Sequence, residues 1–143
     1  MKYEGLRALT TGTAAGEIAL LTMPLSLWGG LNFDDGTICD ATHPEHGLSL
    51  RGKILVMRSA RGSSSSSSAL VEAARRGNAP AAIVLGRPDP ILGIGSLVAA
   101  DLYGIYLPIL IFPESEWDRI PARGIGRVQA DSTGVTLELL SSV

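Results

Sequence analysis

Two short runs of apolar residues constrain the fold more than any other feature of the sequence. Residues 54–57 read Ile-Leu-Val-Met and residues 81–85 read Ala-Ala-Ile-Val-Leu, with no polar position in either run. Such runs are typical of central strands that are covered on both faces of a sheet. Between them, residues 68–76 have the apolar spacing of a helix, which Gly77 and Pro80 would end. Together these segments predict a βαβ unit with a right-handed crossover.

The remaining sequence predicts a second unit of the same kind and a smaller β layer. Residues 81–85, 95–102 and 106–112 have the patterns of a strand, a helix and a strand, with Gly104 after the helix. Further strands are predicted at residues 17–21, 127–130 and 135–140. We therefore expect an α/β fold in which a small β layer packs on a β/α layer, with residues 1–143 forming a single domain.

Charge and hydropathy narrow the class of protein. The net charge of −2 and a pI of about 5.6 argue against a nucleic-acid-binding module, which usually carries a basic face. The mean hydropathy of +0.26 is high for a small soluble chain. No apolar run reaches the roughly 18–20 residues that a membrane-spanning helix needs, and the N-terminus lacks the pattern of a secretion signal. We expect a cytoplasmic protein with no membrane contact and a surface that a partner covers.

Few side chains of the kinds that bind metals are present. The chain has one cysteine, Cys39, and two histidines, His43 and His46. A single cysteine cannot hold an iron–sulfur cluster, and these three residues do not make a convincing zinc site. We predict that both histidines are structural or solvated and that Trp28 lies in the core or in an interface. Residues 93–95, Gly-Ile-Gly, predict a tight turn before a helix.

Six consecutive serines, residues 63–68, follow Arg61 and Gly62 at the point where a buried strand gives way to a helix. A loop of this kind presents unpaired N–H groups and the positive end of the helix dipole, which together favour an anion. Gly62 permits a tight turn, and the hydroxyl groups add donors. We expect the last one or two serines to cap the helix and the first few to bind a carboxylate or phosphate. A hydroxyl in this field can also act as a base.

Several segments resemble the small, swivelling domain of the aconitase X family. Four segments carry the resemblance: residues 24–30 (PLSLWGG, against PLSFWGG), residues 35–44 (DGTI followed by HP, against TGxIxDxxHP), residues 52–65 (GKILV and RGSSS, against GKxLV…GRGSS) and residues 79–84 (APAAIV, against APAAI). The similarity extends over residues 12–113, which is most of the chain. The combination of the serine loop with the Trp-Gly-Gly segment is specific.

The resemblance implies a swivelling β/β/α fold and an iron–sulfur-dependent dehydratase. This domain would close over a large catalytic subunit that carries the cluster cysteines, and would bind no cluster alone. By position, Gly62, Ser63 and Ser64 match the serine loop of the wider aconitase superfamily. The match implies that Ser63 is the catalytic base and that Ser64 and Ser65 bind a small carboxylate substrate. Ser65 replaces the Arg of that loop, and Ser66 replaces a glycine that many family members have.

Several functions remain open on the residues alone. Within the family, we favour dehydration of cis-3-hydroxy-L-proline to Δ1-pyrroline-2-carboxylate, and dehydration of (R)-5-phosphomevalonate is the alternative. A non-catalytic regulatory module that binds an anion is a further alternative. Serine runs often form flexible tethers, which would be the case here if residues 63–68 were disordered. The short segment and its position inside a βαβ unit favour an ordered loop instead.

Overall fold

Eight strands and three helices are found in residues 1–62 and 64–142, which the computed structural model describes. In chain order, the elements are β1 (Lys2–Tyr3), β2 (Arg7–Thr10), β3 (Gly12–Leu20), α1 (Leu27–Gly30), β4 (Ile54–Met57), α2 (Ser65–Arg75), β5 (Ala82–Leu85), α3 (Pro90–Tyr103), β6 (Ile109–Ile111), a 3-10 helix (Glu114–Arg119), β7 (Ile125–Asp131) and β8 (Gly134–Ser141). The strands pair in the order β1-β8-β7-β3-β4-β5-β6-β2.

Strand β3 belongs to both layers of the sheet. Residues 12–17 pair with β7 in an antiparallel ladder, and residues 18–20 pair with β4 in a parallel one. Beyond β3, strands β4, β5 and β6 are parallel, and β2 pairs antiparallel to β6 at the edge. On the other side, β7, β8 and β1 form an antiparallel layer. The helices follow parallel strands, so the architecture is the predicted β/β/α arrangement.

Two apolar cores separate the three layers. On the helix side, the buried residues of the parallel strands face those of α2 and α3, and this core includes Leu55, Met57, Leu70, Ile83, Leu85 and Leu92. The opposite core joins the same strands to the antiparallel layer, and it includes Ile54, Val56, Val84, Leu110, Val128 and Leu137. All residues of β4 and β5 are buried because both of their faces are covered. Their apolar sequences predicted this position correctly.

The strands of the antiparallel layer are longer than the sequence predicts, and β1 is an additional one. The strands of this layer come from both ends of the chain and from β3, which extends back from the predicted residue 17 to Gly12. Gly16 permits this extension, because a Cβ atom there would lie 2.4 Å from the carbonyl oxygen of Gly52. The turn-rich segment 21–53 packs on the helix side instead, where Leu25 and Ile38 are buried.

Helix α3 begins earlier than predicted. Its N-cap is Asp89, whose carboxylate accepts hydrogen bonds from the N–H groups of Ile91 (3.0 Å) and Leu92 (3.2 Å). The predicted turn at residues 93–95 is wrong, because both glycines lie inside the helix. Gly95 allows α3 to approach α2 closely, since a Cβ atom there would lie 2.8 Å from the carbonyl oxygen of Ser67. Among the described residues, none of the helices combines the length and apolarity needed to cross a bilayer.

Candidate active site

The serine run lies at the carboxyl edge of the parallel strands. Strand β4 ends at Met57, and α2 begins at Ser65, so the serines connect a central strand to a helix as predicted. The neighbouring strands β3 and β5 end at the same edge, because both are parallel to β4. Open α/β sheets bind ligands at this edge. We call residues 62–68 the serine turn; the predicted base, Ser63, lies outside the described residues.

Helix α2 starts three residues before its predicted first residue. Ser64 occupies the N-cap position and is exposed, with φ −57° and ψ −21°, and its side chain makes no capping hydrogen bond. Ser65 is the first helical residue and is half-buried. The prediction that Ser67 or Ser68 caps the helix is wrong, because α2 already begins at Ser65 and Ser67 donates its hydroxyl to the Ser64 carbonyl (2.9 Å). The flexible-tether interpretation is wrong for Ser65–Ser68, which are helical.

Gly62 fixes the path of the chain into the helix. Its φ of +139° lies in the region that favours glycine. A Cβ atom at this position would lie 2.6 Å from the Ser66 Oγ and 2.8 Å from the Ser26 Oγ. Ser26 belongs to the segment that follows β3, and its hydroxyl donates to the carbonyl of Trp28 at 3.0 Å. A residue larger than glycine would therefore not fit between the Ser26 side chain and the start of α2.

Ser66 is a buried residue with an unused hydroxyl group. Its exposed fraction is 4 %, and its Oγ has no hydrogen-bond partner in the part of the chain that the structure describes. A buried hydroxyl without a partner is destabilising, because it has lost its hydrogen bonds to water. In the resembling family, this position is often glycine, so the hydroxyl is an addition. It leaves an unpaired donor directly beside Gly62.

The electrostatic environment of the turn favours an anion. The first N–H groups of a helix lack intrahelical acceptors, and no acidic residue lies in the first turn of α2. Arg61, next to the turn, is exposed. The hydroxyl and N–H of Thr42 hold the pKa of Asp40 below its ordinary value, and the charge of Arg61 acts in the same direction. The charges of Asp40 and Arg61 therefore interact.

The histidines and the cysteine lie outside the turn. His43 is buried, and its Nδ1 accepts a hydrogen bond from the N–H of Glu45 (3.0 Å). Its Nε2 therefore carries the proton and donates to the carbonyl of Met23 (3.0 Å). His43 is structural and His46 is exposed, as predicted. Cys39 is exposed, and within residues 1–62 and 64–142 no group of three His, Cys, Asp or Glu side chains is placed to hold a metal ion.

Exposed apolar side chains flank the serine turn on two sides. On one side, Trp28 is 55 % exposed, which assigns it to the surface rather than to the core. On the other side, α3 exposes large apolar residues at Ile94, Leu97, Val98 and Leu102. A cleft of about 230 Å³ between α2 and α3 joins Ile94 and Val98 to Ser67 and Ser68. The spacing 94, 97, 98, 102 places these residues on one face of a helix. The sequence analysis predicts a helix here but does not identify this apolar face.

Known proteins resemble this chain in sequence and in fold. Residues 4–137 match the profile of the family described as "Aconitase X swivel domain". The chain is 42 % identical over 108 residues, 76 % of its length, to a cis-3-hydroxy-L-proline dehydratase of Pseudomonas aeruginosa, but covers 19 % of that protein. It is 36 % identical over 93 residues to a phosphomevalonate dehydratase small subunit of Methanothermobacter thermautotrophicus, covering 65 % of this chain and 71 % of the other.

A solved structure extends the similarity to the whole fold. The crystal structure of Thermococcus kodakaraensis aconitase X in its holo-form superposes with a TM-score of 0.82 and 28 % sequence identity, over 99 % of each chain. The chain spans about a fifth of the length of the hydroxyproline dehydratases that it matches. The family profile covers nearly all of the chain, including the strands and helices that position the serine turn. The chain therefore belongs to the aconitase X swivel domain family.

Proposed function

We propose that this domain supplies the serine turn of a hydro-lyase that converts cis-3-hydroxy-L-proline into Δ1-pyrroline-2-carboxylate. The proposal rests on the serine turn at the start of α2, in a chain 42 % identical to a protein named as that dehydratase. Residues 1–143 act as one swivelling domain in the cytoplasm and work with a larger catalytic chain. The names of relatives that are small subunits support such a partner.

The reaction needs a base at one carbon and a leaving hydroxide at the next. In the proposed mechanism, the Ser63 oxygen takes the proton from C2 of the substrate. The electrons of that C–H bond form the C2–C3 double bond and expel the hydroxyl group of C3, which leaves as water once protonated. The resulting enamine then becomes the cyclic imine by moving a proton from nitrogen to carbon. The positive end of α2 lowers the cost of the serine alkoxide.

Substrate binding is assigned to the neighbouring serines. Ser64 is exposed at the N-cap, and Ser65 opens the helix, where N–H groups and the helix dipole favour a carboxylate. Neither residue carries a charge, so binding at the turn relies on hydrogen bonds. Additional contacts to the substrate come from the larger chain.

The iron–sulfur cluster that the family implies does not fit the residues of this chain. Cys39 is its one cysteine and is exposed, whereas such clusters are held by several thiolates. The described residues also bring no three ligating side chains together. We assign the cluster ligands to the larger chain, and no step described above passes through the cluster.

The apolar surface around the turn supports the proposed partner. Trp28 and the outer face of α3 flank the serine turn, so a protein whose active site received the turn would also cover these side chains. Removing such area from water is favourable by roughly 25 cal/mol per Å². The same surface gives the larger chain a means of positioning Ser63 over its bound substrate.

The central test is Ser63→Ala in the enzyme assembled from both chains. We expect kcat for cis-3-hydroxy-L-proline to fall by about 10²–10⁴-fold, the range for loss of a general base. KM should change much less, because the hydroxyl acts mainly in the transition state. Ser64→Ala and Ser65→Ala should instead raise KM more than they lower kcat. Ser132→Ala, an exposed serine in the β7–β8 turn, is the matched control.

The same assay separates the other candidates. Nearly full kcat in Ser63→Ala with loss in Ser65→Ala would move the base by two residues, and full activity in all of these variants would place it elsewhere. Turnover of (R)-5-phosphomevalonate instead of hydroxyproline would favour the second function. A relative that is 36 % identical is named as the small subunit of phosphomevalonate dehydratase. An inactive assembled enzyme whose small chain still binds anions would favour the regulatory module.

A further inference from the structure

A second cleft lies at the carboxyl edge of the parallel strands, apart from the serine turn. It has a volume of about 470 Å³ and lies where β3, β4 and β5 end. Its walls include Met23 and Pro24 after β3, Arg58 after β4, Arg87 after β5, and the ring of Trp117. No described residue of the serine turn lines it. The function proposed above leaves this cleft unassigned.

The fold brings two arginine residues to this cleft. The carbonyl of Arg58 accepts hydrogen bonds from the N–H groups of Gly86 (2.9 Å) and Arg87 (3.1 Å). These bonds continue the pairing of β4 with β5 by one step beyond the strands. Because the two strands are parallel, Arg58 and Arg87 leave the sheet at the same edge, and both residues line the cleft.

The two arginines differ in whether a carboxylate pairs with the guanidinium group. Arg87 pairs with Glu114, with 3.0 Å between the Nε and a carboxylate oxygen. In the part of the chain that the structure describes, Arg58 forms no ion pair, and its guanidinium lies 5.8 Å from the centre of the Trp117 ring. The ring attracts the cation without neutralising it. The carboxylate of Glu45 accepts hydrogen bonds from the N–H (2.6 Å) and hydroxyl (3.0 Å) of Thr22, which lines the cleft. It forms no ion pair with Arg58 in the described part of the chain.

We propose that this cleft binds the carboxylate of a small organic acid, with Arg58 as its main partner and Arg87 as a second donor. A guanidinium offers paired N–H donors that match the two oxygens of a carboxylate. One unpaired cation suits a monoanion better than a phosphate dianion. The apolar wall formed by Met23, Pro24 and Trp117 suits a short aliphatic or saturated-ring body.

Two sources of the acid share this chemistry. One is a second molecule of the proposed substrate, cis-3-hydroxy-L-proline, bound apart from the serine turn, and to that extent the inference rests on the proposed function. The other is an unrelated organic acid that occupies the cleft as a separate ligand. Comparing hydroxyproline with acetate separates the two, because only the former carries the ring.

The test uses the fluorescence of Trp117 in the whole chain. The sequence has two tryptophans, so Trp28→Phe leaves Trp117 as the one indole. We would titrate this protein with cis-3-hydroxy-L-proline, sodium acetate and sodium phosphate at constant ionic strength. Both carboxylates should change the emission saturably. Tighter binding of hydroxyproline identifies the substrate as the ligand, and equal binding identifies organic acids in general.

Arginine variants assign the binding to the cleft. Arg58→Gln should raise the Kd of the carboxylates by about tenfold or more, as expected for loss of a charged hydrogen-bond pair. Arg58→Lys, which keeps the charge but loses the paired donors, should give an intermediate Kd. Arg51→Gln, at the opposite end of β4, is the control and should leave Kd unchanged. Arg58 is exposed, so its replacement should not unfold the domain, and Tm checks this.

Three outcomes would overturn the proposal: no saturable response to either carboxylate, tighter binding of phosphate than of both carboxylates, or an unchanged Kd in Arg58→Gln. The measurement needs neither the larger chain nor turnover. Carboxylate binding by a domain that supports no dehydratase activity would count against the proposed function alone. An active assembled enzyme whose small chain shows no such binding would remove this site and leave the proposed function intact.

Discussion

Helices α2 and α3 follow neighbouring parallel strands and pack side by side, yet their first turns are built in opposite ways. The start of α3 is capped by the Asp89 carboxylate, which accepts two backbone N–H groups. At the start of α2, the Ser64 side chain makes no capping bond and Ser66 has an unpaired, buried hydroxyl. Capping adds about 0.5–2 kcal/mol of stability. A side-chain cap therefore stabilises the start of α3 but not the start of α2, where the candidate site lies.

The outer faces of the two helices differ as well. On α2, Glu72 pairs with Arg75 and Arg76, so this face is suited to water. On α3, Leu97 and Leu102 are each at least 60 % exposed, and no ion pair of the described residues involves this face. Contiguous exposed apolar surface marks contact with another protein more often than contact with solvent. The comparison supports the outer face of α3, rather than the charged outer face of α2, as the surface that the proposed partner covers.

Of the variants that test this comparison, Leu97→Glu should have the largest effect, a loss of affinity for the larger chain. A carboxylate on the α3 face would be desolvated without a partner in the complex, so we expect affinity for the larger chain to fall by about 100-fold or more. Titration calorimetry with the purified larger chain measures this. Arg127→Gln, at an exposed position of β7 in the antiparallel layer, is the control and should bind normally. Equal affinity of wild type and Leu97→Glu would show that the partner docks elsewhere.

Gly95→Ala tests the point at which the two helices touch. The added Cβ would lie 2.8 Å from the Ser67 carbonyl oxygen and 3.3 Å from the Leu70 Cβ. We expect a loss of about 1–3 kcal/mol of unfolding free energy from overpacking, partly offset by better helix propensity. Gly93→Ala in the same helix is the control. Its Cβ would meet no atom within 4 Å, so it should be stabilising by about 0.5–1 kcal/mol. Equal responses of the two variants in urea unfolding would show that the helices are not in tight contact.

Replacing one polar side chain at the start of each helix compares how much that side chain contributes to stability. Asp89→Ala removes an acceptor of two hydrogen bonds and should cost about 0.5–2 kcal/mol. Ser66→Ala removes a buried hydroxyl that has no partner, so stability should stay the same or rise. Urea unfolding of both variants measures the difference. A substantial loss in Ser66→Ala would mean that its hydroxyl is hydrogen-bonded in solution.

Local patterns were enough to predict much of the fold. Strand β4 was predicted at its observed bounds, because its four apolar residues are flanked by polar ones. The end of α2 was predictable from Gly77, because glycine readily adopts the positive φ (+75°) that ends a helix. The N–H of Gly77 donates to the Ala74 carbonyl. The start of α3 was missed although Asp89-Pro90 is a strong signal for a cap followed by a first helical residue.

Contacts between distant segments could not be predicted from the sequence. The serine turn was placed correctly at a strand–helix junction, but the burial of Ser66 depends on Gly62 and on Ser26, which lies 40 residues earlier. Gly95 seemed a turn residue because its contact with Ser67 exists only after the helices pack. The cleft around Arg58 likewise depends on Trp117, which the sequence separates from it by a long interval. Local pattern sets the elements, whereas packing decides which polar groups remain unpaired.

The smallest expected effect comes from Glu72→Gln on the outer face of α2. Arg75 and Arg76 bind the Glu72 carboxylate at 2.7 and 2.9 Å and lower its pKa from 4.5 to about 2. A carboxyl whose pKa is lower in the folded state stabilises the fold above its unfolded pKa. This stabilisation is lost as the pH falls from about 4.5 towards 2.

Thermal unfolding of wild type and Glu72→Gln across this pH range gives the test. At neutral pH, the variant should have a slightly lower Tm, because exposed helix pairs contribute little and are screened by salt. The difference should shrink in high salt and become small as the pH approaches 2, where protonation of the wild-type carboxyl is well advanced. A difference that persists at this pH would attribute the effect to packing of the side chain. Loss of the difference with acid and with salt would show that charges in water stabilise the outer face of α2, in contrast to the apolar face of α3.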